Sequence, residues 1–164
     1  MATVTLRPLT PDDVDHVMTW VNDHDVMAYF ANRQSNISRE DELAYLTALV
    51  ASKNDRAYSI FAGDEYVGQC SVNQIYWPAK NGRLFVVINK NSQGKAYGPE
   101  AVRQLLTIAW SELGLHKVWL IVRRENRVAQ AMYLKLGFDF EGVLADEYCV
   151  EGRYFDMVRM SIVH

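Results

Sequence analysis

The run Leu84-Phe85-Val86-Val87-Ile88 is apolar at every position. A strand with one wet face alternates polar and apolar residues, so an unbroken run belongs in the middle of a sheet covered on both sides. What flanks it fixes the neighbours. Upstream, Arg56 to Ala62 and Glu65 to Ile75 read as strands joined by a tight turn at Gly63-Asp64, an antiparallel hairpin. A second turn, Trp77 to Gly82, leads into the strand Arg83 to Asn89. Downstream, a loop from Lys90 to Gly98 opens a helix from about Pro99 to Leu113. Its inward face carries Val102, Leu105, Leu106, Ala109 and Leu113, and Gly114 ends it. Lys117 to Val122 is then another buried strand. A strand, a crossover helix and a strand in that order make a parallel pair.

The remaining elements complete the sheet. Thr3 to Arg7 is a short strand closed by Pro8. Thr10-Pro11-Asp12-Asp13 starts a helix that carries Val14, Val17, Met18 and Val21 on one face and ends near Asn22. Asp23 to Ile37 is mixed, a short helix and a loop. Ser38 to Asp41 opens a second helix with Leu43, Leu46, Thr47 and Val50 at the helical period. Asn126 to Leu136 is a helix stopped by Gly137. Two last strands, Phe138 to Val150 (irregular) and Tyr154 to Val163, turn at Glu151-Gly152. The expectation is one α/β (α+β) domain over residues 1–164. Its sheet is mixed and mostly antiparallel, with about seven strands flanked by about four helices and one parallel pair.

Composition narrows the function classes. The chain has 164 residues, 49% hydrophobic and 23% charged, with a net charge of −3. That is the balance of a soluble globular protein, and it gives no electrostatic reason to expect a nucleic-acid partner. No apolar stretch approaches a membrane span, and the amino terminus lacks a basic start followed by an apolar run, so a cytoplasmic location is expected. Cys70 and Cys149 lie in apolar-alternating stretches without a CxxC or Cys/His pattern. They read as buried free thiols, with no metal site.

Two segments carry chemistry. Gln93-Gly94-Lys95-Ala96-Tyr97-Gly98 joins a buried strand to a helix start. The first amides of a helix have no internal partners and lie at its positive end, so a phosphate can rest there if side chains are small enough to let it approach. Lys95 adds a positive charge. The alternative is a plain strand-to-helix turn. In the second segment, Asn126 and Tyr133 are seven residues apart, about 700° of helical rotation, so both project to nearly the same side. They could face one cleft, or they could be a helix cap and a core residue.

Together the two segments resemble the GCN5-related N-acetyltransferase (GNAT) superfamily. Gln93 to Gly98 is similar to the family's pyrophosphate signature Q/R-x-x-G-x-G/A, departing at Ala96 where the family has glycine. Glu125-Asn126 through Tyr133-Leu134-Lys135-Leu136-Gly137-Phe138 resembles its E-N-x₆-Y-x-K-x-G-F block. Within the superfamily the chain resembles the branch of ribosomal-protein alanine and bacterial spermidine acetyltransferases, and Lys117 to Val122, Glu151-Gly152-Arg153-Tyr154 and Val158-Arg159-Met160 are especially similar to the spermidine enzymes. The resemblance implies acetyl-CoA as co-substrate, bound where two parallel strands splay. Val86, Val87 and Ile88 would meet the pantetheine arm, and one of their N–H groups could face the developing oxyanion. Gln93, Gly94, Lys95, Ala96, Tyr97 and Gly98 would hold the pyrophosphate, with Asn126 and Lys135 as further cofactor contacts.

The same resemblance makes Tyr133 the general acid. A thiol has a pKa of roughly 8.5 and a tyrosine about 10, so Tyr133 stays protonated and can protonate the leaving sulfur. The strand before the loop, Arg83-Leu84-Phe85, has no acid, so a base would be a water chain, Asp25 or Glu147. The acceptor is expected to be a primary amine of a small molecule or a protein amino terminus. Trp20, Asn22, Tyr29, Arg33, Tyr76 and Trp77 are the candidate acceptor contacts. Phe30 to Ser35 contains no acid, and Arg33 and Arg83 would repel a polycation, which ranks spermidine below other amines. A non-catalytic acetyl-CoA-binding module is the competing class. The resemblance also leaves a homo-oligomer open.

Overall fold

The apolar run lies in β4 (Asn81–Ile88), the fourth of seven strands. The computed structural model describes residues 3–30 and 36–164. In chain order its elements are β1 (Thr5–Pro8), a 3-10 turn at Pro11–Asp13, α1 (Val14–Val17), α2 (Arg39–Ala51), β2 (Arg56–Ala62) and β3 (Glu65–Tyr76). A 3-10 turn at Trp77–Ala79 leads into β4, and after it come a 3-10 turn at Lys90–Ser92, α3 (Tyr97–Ser111), β5 (Lys117–Arg123), α4 (Arg127–Lys135), β6 (Asp139–Val150) and β7 (Arg153–Val163). The sheet order is β1-β2-β3-β4-β5-β7-β6. Every neighbouring pair is antiparallel except β4 and β5, as the strand–helix–strand order requires.

That parallel pair holds for only three residues: Asn81 opposite Lys117, Gly82 opposite Val118 and Arg83 opposite Trp119. Beyond Arg83 the strands part. On its other edge β4 stays paired with β3 up to Gly68 opposite Ile88. Gly68 is required there, because a Cβ would collide with the carbonyl oxygen of Val87. The wedge between β4 and β5 is therefore built into an otherwise continuous sheet.

Each face of the sheet has its own core. On one, Val102, Leu105, Leu106 and Ala109 of α3 and Tyr133 of α4 pack with Leu84, Val118 and Leu120. On the other, Val14, Val17, Trp20, Val21 and Leu46 pack with Phe61, Tyr66 and Val87. Alternation along β4 thus divides Leu84, Val86 and Ile88 from Phe85 and Val87.

Three expectations are corrected. Among the described residues of Asp23 to Ile37 the chain makes hydrogen-bonded turns, Met27 N to Asp23 O at 3.0 Å and Phe30 N to Met27 O at 3.1 Å, and no helix. The first helix does not run from Thr10 to Asn22. After Val17 the backbone closes three residues back, Thr19 N to His16 O and Trp20 N to Val17 O. The hydroxyl of Thr19 donates to the same His16 carbonyl at 2.6 Å, competing with the helical ladder and ending α1 after one turn. Cys149 is exposed, unlike Cys70. It lies near the tip of the β6–β7 hairpin, opposite Tyr154, where edge strand β6 has no core against it. Elsewhere the boundaries fit: the Ser38 hydroxyl accepts the Asp41 N–H at 3.1 Å and caps α2.

Candidate active site

The wedge opens into a cleft of about 480 Å³ lined by β4, β5, the Gln93–Gly98 loop and α4. Val86, Val87, Ile88, Gln93, Gly94, Ala96, Tyr97, Gly98, Asn126, Tyr133 and Tyr29 all line it. The two segments singled out in the sequence therefore meet across one space.

The loop is held from below. Gln93 donates its side-chain amide to the Ile88 carbonyl at 3.1 Å, pinning the loop to the end of β4. Gly94 and Ala96 both have positive φ, +76° and +61°. Ala96 is the N-cap of the fifteen-residue α3 and offers no side-chain acceptor, and Pro99 carries no N–H. The N–H groups of Tyr97 and Gly98 at the positive helix end are thus left without a cap. Nothing stands within 4 Å of where a Cβ on Gly94 would be, and only Ile88 at 3.7 Å for Gly98. The backbone here is open to an anion.

Across the cleft, the Asn126 side-chain oxygen accepts the Ala129 N–H at 3.2 Å. Asn126 is therefore a helix cap that still lines the cleft, and its amide N–H₂ remains for another partner. Tyr133 is buried against Phe138, ring centroids 5.5 Å apart. Among the described residues its hydroxyl has no hydrogen-bond partner. Burial raises its pKa, so the phenol is neutral at any physiological pH.

Other expected contacts lie elsewhere. Lys95 and Lys135 are exposed and outside the lining. Trp20 is buried in the second core, its indole N–H donating to the Tyr66 hydroxyl at 2.9 Å. Asn22 ties down the Ile37 backbone through both ends of its amide, 2.9 and 2.8 Å. Tyr76 and Trp77 sit on the β3–β4 turn, at the paired end of β4 away from the wedge, with Trp77 bonded to the Lys53 carbonyl. Arg33 lies outside the described residues. Of the two possible bases, Asp25 is in an exposed ion pair with Lys90 at 2.6 Å, which holds its carboxyl below the usual range. Glu147 is exposed on β6 and not at the cleft. Among the described residues the cleft is lined by no carboxylate and no histidine.

The cleft also contains Arg83, expected to repel a polycation, and residues the motifs did not indicate: Phe85, Ile121, Arg123, Val26, Phe30 and Met132 among them. Arg123 is only 8% exposed, at the carboxyl end of β5, with its guanidinium 3.8 Å from the Phe155 ring centroid. Alternation was the available signal, since Trp119, Ile121 and Arg123 share a face. Among the described residues, no helix is long and apolar enough to cross a membrane and no cluster of His, Cys, Asp or Glu is arranged to hold a metal ion.

Comparison with known proteins agrees with this geometry. The family model for the acetyltransferase (GNAT) domain matches residues 3–139. The spermidine N(1)-acetyltransferase of Escherichia coli K12 is 28% identical over 97% of this chain and 85% of its own length. A putative ribosomal N-acetyltransferase of Bacillus subtilis, YdaF, is 24% identical over 98% of this chain and 91% of its own. Among solved structures, spermidine N-acetyltransferase of Vibrio cholerae in complex with CoA and spermine superposes with a TM-score of 0.92 at 25% identity, covering 99% of this chain and 96% of that one. A wedge between two parallel strands, an uncapped helix start on one side and a buried phenol on the other are thus found in a chain matched by the family over most of its length. The chain belongs to the GNAT acetyltransferase family and is an acetyl-CoA-dependent N-acetyltransferase.

Proposed function

We propose that acetyl-CoA lies in the wedge with its pyrophosphate on the Gln93–Gly98 loop and its thioester beside Tyr133. The observation that carries this is the single cleft shared by the uncapped start of α3 and the unpartnered Tyr133 hydroxyl. The edge of β4 beyond Arg83, without a strand partner on the β5 side, offers backbone groups of Val86, Val87 and Ile88 to the pantetheine arm. The N–H₂ of Asn126 is available to the same arm.

A neutral amine attacks the thioester carbon, the carbon–sulfur bond breaks, and the Tyr133 hydroxyl gives its proton to the departing thiolate. The phenolate regains a proton from water. The acceptor nitrogen releases its own protons to water, because no carboxylate or histidine of the described residues lines the cleft to take them. Counted from the ammonium form of the acceptor, which loses one proton before the attack and one after it, the products are the acetylated amine, CoA as the free thiol and one proton.

Replacing Tyr133 by Phe tests the assignment. Turnover is expected to fall on the order of 10²-fold while the calorimetric affinity for acetyl-CoA stays the same. Unchanged turnover removes Tyr133 from the chemistry. Absence of amine-dependent thiol release by the parent protein, with acetyl-CoA still bound, favours a non-catalytic binding module instead. A polyamine acceptor is the second reading. It rests on the spermidine acetyltransferases of Escherichia coli and Vibrio cholerae being similar to this chain over nearly all its length.

A further inference from the structure

Among the described residues, the charged side chains of the cleft, Arg83 and Arg123, lie on one side of the sheet. Arg123 pairs with Met157 across β5 and β7, so its side chain shares a face with Trp119 and Ile121. Arg83 is opposite Trp119 in the short parallel register, with its guanidinium 5.9 Å from the indole, on that same face. Tyr133 and the α3–α4 core are on the other face. The wedge connects the two. The side with the arginines, roofed by Tyr29 and Phe30, is the side left for the acceptor once the cofactor takes the loop and α4.

Arg123 is a cation more than nine-tenths buried whose Nε has no hydrogen-bond partner. Among the described residues neither it nor Arg83 has an ion-pair partner. A buried guanidinium without a counter-charge is unfavourable, and an aromatic face compensates only in part. Asp156 is committed to Arg124 at 3.1 Å, Glu141 to Lys117 and Arg159, and Asp25 to Lys90; the exposed Glu125, Asp139, Asp146 and Glu147 make no ion pair with either arginine among the described residues. The missing counter-charge has to come from what binds.

We propose that the acceptor is a small primary amine that carries its own anionic group, a carboxylate or a phosphate, which Arg123 binds with Arg83 beside it. This rests on the acetyl-transfer reading above and names its substrate class. It also turns the site away from polyamines, which would bring further positive charge against two unpaired arginines.

The test is amine-dependent thiol release from acetyl-CoA with matched acceptors: glycylglycine and glycylglycinamide, glucosamine phosphate and glucosamine, and spermidine. Acetyl-CoA affinity is measured by calorimetry on the same samples. The parent protein is expected to prefer one anionic amine over its neutral counterpart at least tenfold in kcat/KM, and the preferred pair tells carboxylate from phosphate. Arg123→Ala should raise KM for that acceptor on the order of 30-fold or more and erase the preference, with acetyl-CoA affinity unchanged. Arg123→Lys should restore part of it. Arg123→Met, which keeps an apolar stem against Phe155, serves if the alanine variant does not fold. Preference of the parent protein for spermidine, or activity with none of the anionic amines, overturns the inference. So does a fall in acetyl-CoA affinity in the Arg123 variants, which would assign the guanidinium to the cofactor. Failure of the parent protein to bind acetyl-CoA at all strikes the underlying reading instead.

Discussion

The indole N–H of Trp20 donates to the hydroxyl of Tyr66 at 2.9 Å inside the core between α1, α2 and the sheet. The His16 ring stacks on Tyr66 with centroids 4.4 Å apart, closing the group from the side. Trp20 is therefore held as a structural residue. Tyr66→Phe leaves a buried donor unsatisfied and is expected to cost about 1–3 kcal/mol of stability, read by chemical denaturation, with KM for the acceptor unchanged. A change in acceptor KM at unchanged stability would put Trp20 back among the substrate contacts.

Ala96 has a φ of +61°, where a side chain is strained by roughly 1–2 kcal/mol relative to glycine. Glycine gains that relief and gives back about 0.4–1 kcal/mol through its freer unfolded state. Ala96→Gly is thus expected to raise the Tm by about 1–3 °C. It also removes a methyl from the proposed pyrophosphate loop, and acetyl-CoA should bind more tightly by calorimetry. A lower Tm would mean that the loop relies on the alanine side chain.

The two thiols should separate in a modification experiment. Cys149 is exposed on β6, whereas Cys70 is buried in the sheet, where burial raises its pKa and suppresses the thiolate. A disulfide reagent should titrate one thiol per chain quickly in the native protein and the second only on unfolding. Two fast thiols would contradict the packing around β3.

Glu141 accepts hydrogen bonds from Lys117 at 2.7 Å and Arg159 at 3.1 Å, and these cations hold its carboxyl below the usual range. A depressed folded pKa contributes stability that is present above the unfolded value, about 4.3, and is lost as pH falls through the folded one. The stability difference between the parent protein and Glu141→Gln should therefore be constant from neutral pH down to about 5 and shrink below about 4. Denaturation series at several pH values read it directly. A gap that does not narrow in acid means that these ion pairs contribute nothing to stability.

Most of the fold was legible because its signals are local. The apolar run of β4, the Gly63-Asp64 turn and the cap at Ser38 each act within a few residues, and each element stands where they indicated. The end of α1 was less visible, because the Thr19 hydroxyl competes for a carbonyl that only the folded backbone presents. Within the site, Asn126 and Tyr133 could be paired by helical rotation alone. Arg123 could not be paired with Phe155 that way: they are brought together by the β5–β7 register, across more than thirty residues of chain. The surroundings of Trp20 and Trp77 were hidden for the same reason. Their partners, Tyr66 and the Lys53 carbonyl, are distant in sequence, and nothing near either residue announces them.

The three residue pairs that join β4 to β5 have a mechanical consequence. They divide the sheet into two rafts, β1 to β4 and β5 to β7, stitched at one end and unzipped at the other. A chain of amides laid along the free edge of β4 would act as a temporary eighth strand. Occupancy would then stiffen the seam, and amide hydrogens from Leu84 to Ile88 should exchange more slowly when the wedge is filled. In such a molecule the ligand completes the protein's own sheet for as long as it stays.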